Sequence, residues 1–198
     1  MIEHKFPYES FIGGWYISES ICDDLIKLFH SAKEKGHTII GLQKSFGKLQ
    51  IDRTRKDAEE LAIKWDSTND FIINYRVELQ KVIENYAKKY DAVSYQAGFN
   101  VNTNYNLQYY KPGGGYKVWH NERGGSGGEE SKRILVFMTY LNEVDDGGTE
   151  FKNQNIISPA KKGLTLIWPT DWTHTHRGQV SMTKEKYIVT GWFSFNEW

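Results

Sequence analysis

The chain has 198 residues, enough for one globular domain that buries a core without disulfides or a structural metal. Aromatic residues reach 15%, which excludes a disordered chain, and 25 basic residues balance 25 acidic ones. No global positive field therefore exists to hold nucleic acid nonspecifically. No apolar run approaches the roughly 18 residues that a membrane span requires. The opening Met1-Ile2-Glu3-His4-Lys5 has neither the basic nor the apolar region of a secretory leader. The single Cys22 rules out an internal disulfide and a cysteine-rich zinc module, so the expected setting is reducing and cytoplasmic.

In chain order, Ser18-Glu19-Ser20 is placed to cap a helix that runs to about Lys35. Ile21, Leu25, Leu28 and Phe29 form its apolar stripe, and Gly36 stops it. Residues 41–57 are basic and lack clear periodicity; they read as a strand or two with a mobile segment. A short helix is expected over 55–65. Asn69 or Asp70 caps a further helix whose stripe is Phe71, Tyr75, Leu79, Val82, Ile83 and Tyr86. From about Ala92 the texture changes to short Val-, Ile- and aromatic-rich runs broken by glycines. The expected strands are 107–111, 116–122, 133–142, 149–151, 155–157, 164–168, 174–177 and 186–195. Such spacing predicts a closed or two-sheet β structure, and helices gathered in the first half then give an α+β domain. Gly124-Gly125-Ser126-Gly127-Gly128 is a flexible loop by composition.

Three of the six histidines fall in the β half: His120, His174 and His176. If 116–122 is a strand, His120 and Glu122 share one face and present an imidazole and a carboxylate to one point. A distal histidine would complete two nitrogens and one carboxylate with open positions, the ligand set of non-haem Fe(II) oxygenases. An isolated His-x-Glu is common, however, and His174 and His176 would also share a strand face, so spacing does not choose between them.

Five segments from 107 to 195 add a resemblance. Tyr110-Lys111-Pro112-Gly113-Gly114-Gly115-Tyr116 leads into His120 and Glu122. Residues 133–144 are followed by Gly147-Gly148-Thr149-Glu150-Phe151. Lys162-Gly163-Leu164-Thr165-Leu166-Ile167-Trp168-Pro169 precedes His176-Arg177-Gly178-Gln179-Val180, and Lys186 and Trp192 come after. Taken in order, these segments resemble the 2-oxoglutarate/Fe(II) dioxygenases of the prolyl 4-hydroxylase-like branch. The resemblance implies a double-stranded β-helix (jelly-roll) core over 92–198, braced by a helical support and flap segment over 1–91.

It also implies His120, Glu122 and His176 as metal ligands, with His174 as a neighbour. Lys186 would anchor the far carboxylate of 2-oxoglutarate, with Tyr110 as a second donor, Tyr140 a weaker one, and Trp192 flanking the pocket. Arg177 is the competing cation. The implied cofactors are Fe(II), 2-oxoglutarate and O2, with ascorbate as an optional reductant. The implied reaction is hydroxylation of an unactivated C–H, first of all on a proline residue in a peptide or protein. A small molecule or nucleobase as substrate, or a metal-binding module without catalysis, are the alternatives. The family usually has aspartate where this chain has Glu122. The Gly124–Gly128 loop, directly after Glu122, is an expected flap over a bound substrate; the basic residues Lys44, Lys48, Arg53 and Arg55 read either as a second flap or, equally well, as a solvated surface loop.

Overall fold

The Asn69 side chain accepts a hydrogen bond from the Phe71 amide at 3.0 Å and so closes the first turn of a helix over Asp70–Lys89. A second helix spans Glu19–Glu34, where Ser18 sits at the cap but bonds Ser20 rather than the helix amides. These elements belong to a computed structural model that describes residues 1–45, 48–124 and 127–196. We label the helices α1 (Glu19–Glu34) and α2 (Asp70–Lys89). The buried stripe of α2 is Ile72, Tyr75, Leu79, Val82, Ile83 and Tyr86; Phe71 packs at its edge, one position off the expected register. In α1, Cys22, Leu25, Phe29 and Ala32 are buried, with Ile21 and Leu28 at the margin.

Both helices lie on one face of a nine-stranded antiparallel sheet. Its centre runs in the order Gly13–Tyr16, Leu164–Pro169, Arg133–Tyr140, Lys186–Phe195, Tyr105–Tyr110 and Glu59–Ile63. A three-stranded sheet, Ile156–Ala160, Val144–Phe151 and His176–Gly178, stands apart from it, and the two enclose a second core. This is the double-stranded β-helix architecture, with helices bracing the outer face of the larger sheet.

Strand alternation divides the work. Leu135, Phe137, Tyr187, Val189, Phe193, Tyr105 and Leu107 pack against the helices. Their neighbours Val136, Met138, Tyr140, Ile188 and Tyr110 point between the sheets. The central strands are therefore mostly apolar towards the helices, apart from Thr139, which meets the Tyr75 hydroxyl of α2, and Thr165, which bonds Thr139, and are free to carry polar groups inward.

Two expectations are corrected. Residues 55–65 do not form a helix; they form strands Lys56–Asp57 and Glu59–Ile63, the latter paired with Tyr105–Tyr110. The Lys56–Glu60 pair at i,i+4, helical in spacing, is made instead across Ala58, which separates two strands. The stretch 116–122 is not a continuous strand either: Gly115–Tyr116 pairs with Lys56–Asp57, and His120 makes an isolated bridge to His176. Of the expected flaps, residues 43–45 and 48–50 pair as a hairpin. Phe46 and Gly47, and Gly125 and Ser126 of the glycine loop, lie outside the described residues.

The paired glycines in Val144–Phe151 have a steric cause. A Cβ on Gly148 would stand 2.0 Å from the Ser158 carbonyl oxygen of the adjacent strand. One on Gly147 would meet Val144 at 2.7 Å. Gly148→Ala is therefore expected to force the two strands of the smaller sheet apart. The cost should be at least the ~1–3 kcal/mol of an overpacked core, read as a lower urea midpoint with an unchanged m-value.

Candidate active site

Between the two sheets lies a cavity with room for about 110 Å³ of water-sized occupancy. His120, Glu122 and His176 line it, and one donor atom from each lies within 4.8 Å of the others. His120 reaches the point through its bridge: its amide donates to the His176 carbonyl at 3.0 Å, and its carbonyl accepts from the His176 amide at 2.9 Å. Glu122 is held by its own amide, which donates to the Thr170 carbonyl at 3.1 Å. The convergence thus comes from pairing across the barrel mouth, not from alternation along one strand.

The ring nitrogens are assigned by their partners. His120 Nδ1 lies 3.0 Å from the Val118 carbonyl and His176 Nδ1 lies 2.9 Å from the His174 carbonyl. A carbonyl only accepts, so both Nδ1 atoms carry protons, and in the neutral ring Nε2 is a lone pair. The two Nε2 atoms face Glu122 Oε1 at 3.3 Å and 3.7 Å. Burial, helped by the adjacent His120, pushes His176 down to about 3. Burial would raise the Glu122 carboxyl, but His120, His176 and Arg133 outweigh it and bring it down to about 2. A neutral imidazole lone pair aimed at a carboxylate oxygen is repulsive without a cation between them. Two nitrogens and one hard oxygen in this arrangement fit Fe(II).

The structure separates the two distal histidines. His174 ends a turn over Trp172–His174, and its Nε2 turns to the Ser10 carbonyl at 3.0 Å, with Thr173 on Nδ1. They do not share a strand face. His174 lines no part of the cavity and touches the site only through its carbonyl.

Lys186, only 5% exposed, lines the same cavity. Its ammonium donates to the Gly147 and Gln179 carbonyls at 2.8 Å and 2.9 Å, and among the described residues no carboxylate lies within 4 Å of it. Burial pushes it down to about 8, with Asp146 partly offsetting that. Lys56 is a second buried lysine on the cavity wall, but Glu60 neutralises it at 2.7 Å. Arg177 turns outward to Glu150 at 2.7 Å and over the Trp119 ring at 4.4 Å. Lys186 is therefore the cation with charge to spare for an incoming anion.

The Tyr110 hydroxyl donates to Gln108 at 2.5 Å, and its ring lies 5.4 Å from the Lys186 ammonium. The Tyr140 hydroxyl meets Thr149 and Ser158 at 2.7 Å and 2.9 Å. Trp192 does more than flank: its indole N–H donates to Glu122 Oε2 at 3.1 Å. Sequence reasoning missed Arg133, whose guanidinium also meets Glu122, and the polar wall of Lys56, Gln108, Asn106 and Thr190. The period-two run Asn106, Gln108, Tyr110 was the available signal for part of that wall.

Known proteins share both the sequence pattern of this site and the fold around it. The sequence profile of the 2OG-Fe(II) oxygenase superfamily matches residues 105–194. That match spans a little under half of the chain and includes His120, Glu122, His176 and Lys186. No curated protein sequence matches it. Among solved structures, a prolyl-4-hydroxylase from Pseudomonas putida superposes with a TM-score of 0.68 at 13% identity, covering 94% of each chain. The viral collagen prolyl hydroxylase of Paramecium Bursaria Chlorella virus-1, in its 2OG complex, gives 0.69 at 17% identity, covering 94% of this chain and 97% of that one. A Trichoplax adhaerens prolyl hydroxylase, solved with a peptide fragment of a hypoxia inducible factor, gives 0.67 at 14%, covering 93% and 83%. This oxygenase thus has the fold of the prolyl 4-hydroxylase-like branch. It is a 2-oxoglutarate-dependent oxygenase, and its chemistry draws on Fe(II), 2-oxoglutarate and O2. No helix of the described chain is long and apolar enough to cross a membrane.

Proposed function

We propose that the oxygenase hydroxylates a proline residue in a peptide or protein, with His120, Glu122 and His176 holding Fe(II) and Lys186 anchoring 2-oxoglutarate. The observation that carries this reading is one cavity lined both by three converging metal-type donors and by a buried cation with no carboxylate partner among the described residues. Iron held by these three residues would supply the oxidising chemistry that links decarboxylation of oxoglutarate to hydroxylation of a C–H bond.

The chain's own residues do the rest. The Val118 and His174 carbonyls hold both imidazoles in the metal-binding tautomer. The Lys186 ammonium receives the far carboxylate of oxoglutarate in a dry pocket, where a charge-assisted hydrogen bond is strong. Met138 and Ile188 line that pocket and keep water from it. Tyr116, stacked on His120 at 3.8 Å, and Trp192 offer aromatic surface for a proline ring. The three prolyl hydroxylases of like fold, one of them holding a peptide, support a peptide substrate. On the sequence reading it acts in the cytoplasm.

The polar wall of Lys56, Asn106, Gln108 and Thr190 favours a second reading, a small polar substrate held inside the cavity. One experiment separates them. The protein, loaded anaerobically with Fe(II) and then given oxoglutarate and O2, is screened against proline-containing peptides and polar metabolites. The expected result is succinate formation coupled to the gain of one oxygen by a peptide. Oxygen gained only by a metabolite moves the assignment to the second reading. Metal binding without any succinate overturns both.

A further inference from the structure

Glu122 is the residue at which this chain departs from the aspartate usual in its family, and its two oxygens do different work. Oε1 faces the two imidazole Nε2 atoms. Oε2 turns the other way, where Trp192 Nε1 donates to it at 3.1 Å and Arg133 Nη1 stands 3.5 Å off. The same Arg133 nitrogen donates to the Glu122 main-chain carbonyl at 3.0 Å, so one guanidinium holds both ends of the residue. Arg133 is itself fixed, its guanidinium carbon 3.5 Å from the Trp192 ring centroid. The two sit near the ends of adjacent strands, Arg133–Tyr140 and Lys186–Phe195.

We propose that Arg133 and Trp192 form a clamp on Glu122 Oε2 that makes this glutamate a one-oxygen ligand, and that clamp and glutamate are a matched pair. The proposal rests on the metal site read above. Glutamate has one more rotatable bond than aspartate, so its carboxylate is freer to swing and to offer both oxygens to a metal. A second oxygen would take a position that oxoglutarate or O2 needs, because the three-donor face works only with its remaining positions open. Donors on Oε2 prevent that by engaging its lone pairs, and they fix the direction of Oε1, as outer partners of ligating carboxylates do. An aspartate, one methylene shorter and anchored to the same backbone, would not carry its outer oxygen to the same donors. Arg133 and Trp192 are thus positioning residues for the ligand.

The test is a double-mutant cycle on metal affinity rather than turnover. Co(II) binding is titrated calorimetrically and by its visible bands, without O2 or oxoglutarate, in the native chain, Trp192→Phe, Glu122→Asp and the double variant. Phenylalanine keeps an aromatic face for Arg133 and removes the N–H donor, and a change in the stacked area is read separately through Arg133→Gln. The expected result is that Trp192→Phe weakens Co(II) binding about 10–100-fold and shifts the visible bands in the glutamate chain, yet has little further effect beside Glu122→Asp. Equal losses in both backgrounds, or none in the glutamate chain, overturn the clamp and leave the metal site standing. No Co(II) binding by the native chain overturns the metal site, and the clamp with it. Arg133→Gln is carried through the same cycle, so that a folding defect in Trp192→Phe, read by circular dichroism, does not decide the outcome.

Discussion

His176→Ala is expected to abolish divalent-cation binding and oxoglutarate turnover, whereas His174→Ala keeps both. The two residues are two positions apart, so a general disturbance of the segment would strike them alike. Their side chains, however, do opposite things. His176 offers Nε2 to Glu122 Oε1 inside the cavity, and its removal leaves two donors out of three. The loss should exceed the ~10–100-fold that follows removal of an outer-shell partner. His174 spends Nε2 on the Ser10 carbonyl, and its own carbonyl, which orients His176, survives truncation to alanine. His174→Ala should therefore cost stability instead, about 1–3 kcal/mol for a buried acceptor left unpaired, seen as a lower melting temperature. Anaerobic calorimetry with Mn(II) or Co(II), together with succinate formation, checks the pair. Retention of both activities in His176→Ala would remove it from the ligand set.

Much of this architecture is legible in the sequence because it is periodic. The stripe of α2 shows at a spacing of three and four residues, and the inward–outward alternation of 186–195 shows at a spacing of two. The site is legible differently, as an order of short motifs along the chain, and here the residues proved better guides than the geometry imagined for them. His120 and Glu122 do converge, but through a bridge to a residue 56 positions away, which no local pattern encodes. Spacing alone left His174 and His176 equivalent; a single turn of 3-10 helix breaks the equivalence. The misread strand Glu59–Ile63 shows the opposite failure. Its Lys56–Glu60 spacing is that of a helix-stabilising pair, and pairing with Tyr105–Tyr110 overrides the local preference. Arg133 and the polar wall were invisible for a further reason. A charged residue at a strand start reads as solvated, and only the packing of Trp192 from the neighbouring strand makes it part of the site.

Lys186→Met is expected to weaken oxoglutarate binding by about two to three orders of magnitude while leaving metal affinity unchanged. Truncating one partner of a buried, hydrogen-bonded charge pair costs about 2–5 kcal/mol, and 1.36 kcal/mol is a factor of ten. Methionine keeps an unbranched chain one atom shorter and removes the charge, and the Lys186 ammonium bonds Gly147 and Gln179 rather than the three metal-type donors, so the two affinities should separate. The same residue sets a pH dependence. In the free protein burial holds Lys186 near 8, below the usual lysine value of 10.5. Below that pH the ammonium is already charged and meets the carboxylate directly. As pH rises through about 8 the free protein loses the proton, and binding must then take one up. Oxoglutarate affinity should therefore be highest below pH 8 and fall by up to tenfold per unit above it. Titrations of the Mn(II)-loaded protein from pH 7 to pH 9.5, without O2, check this. In Lys186→Met the weaker binding should be flat over that range. A slope that persists in the variant would mean that another group governs oxoglutarate binding and that the charge of Lys186 is not its anchor.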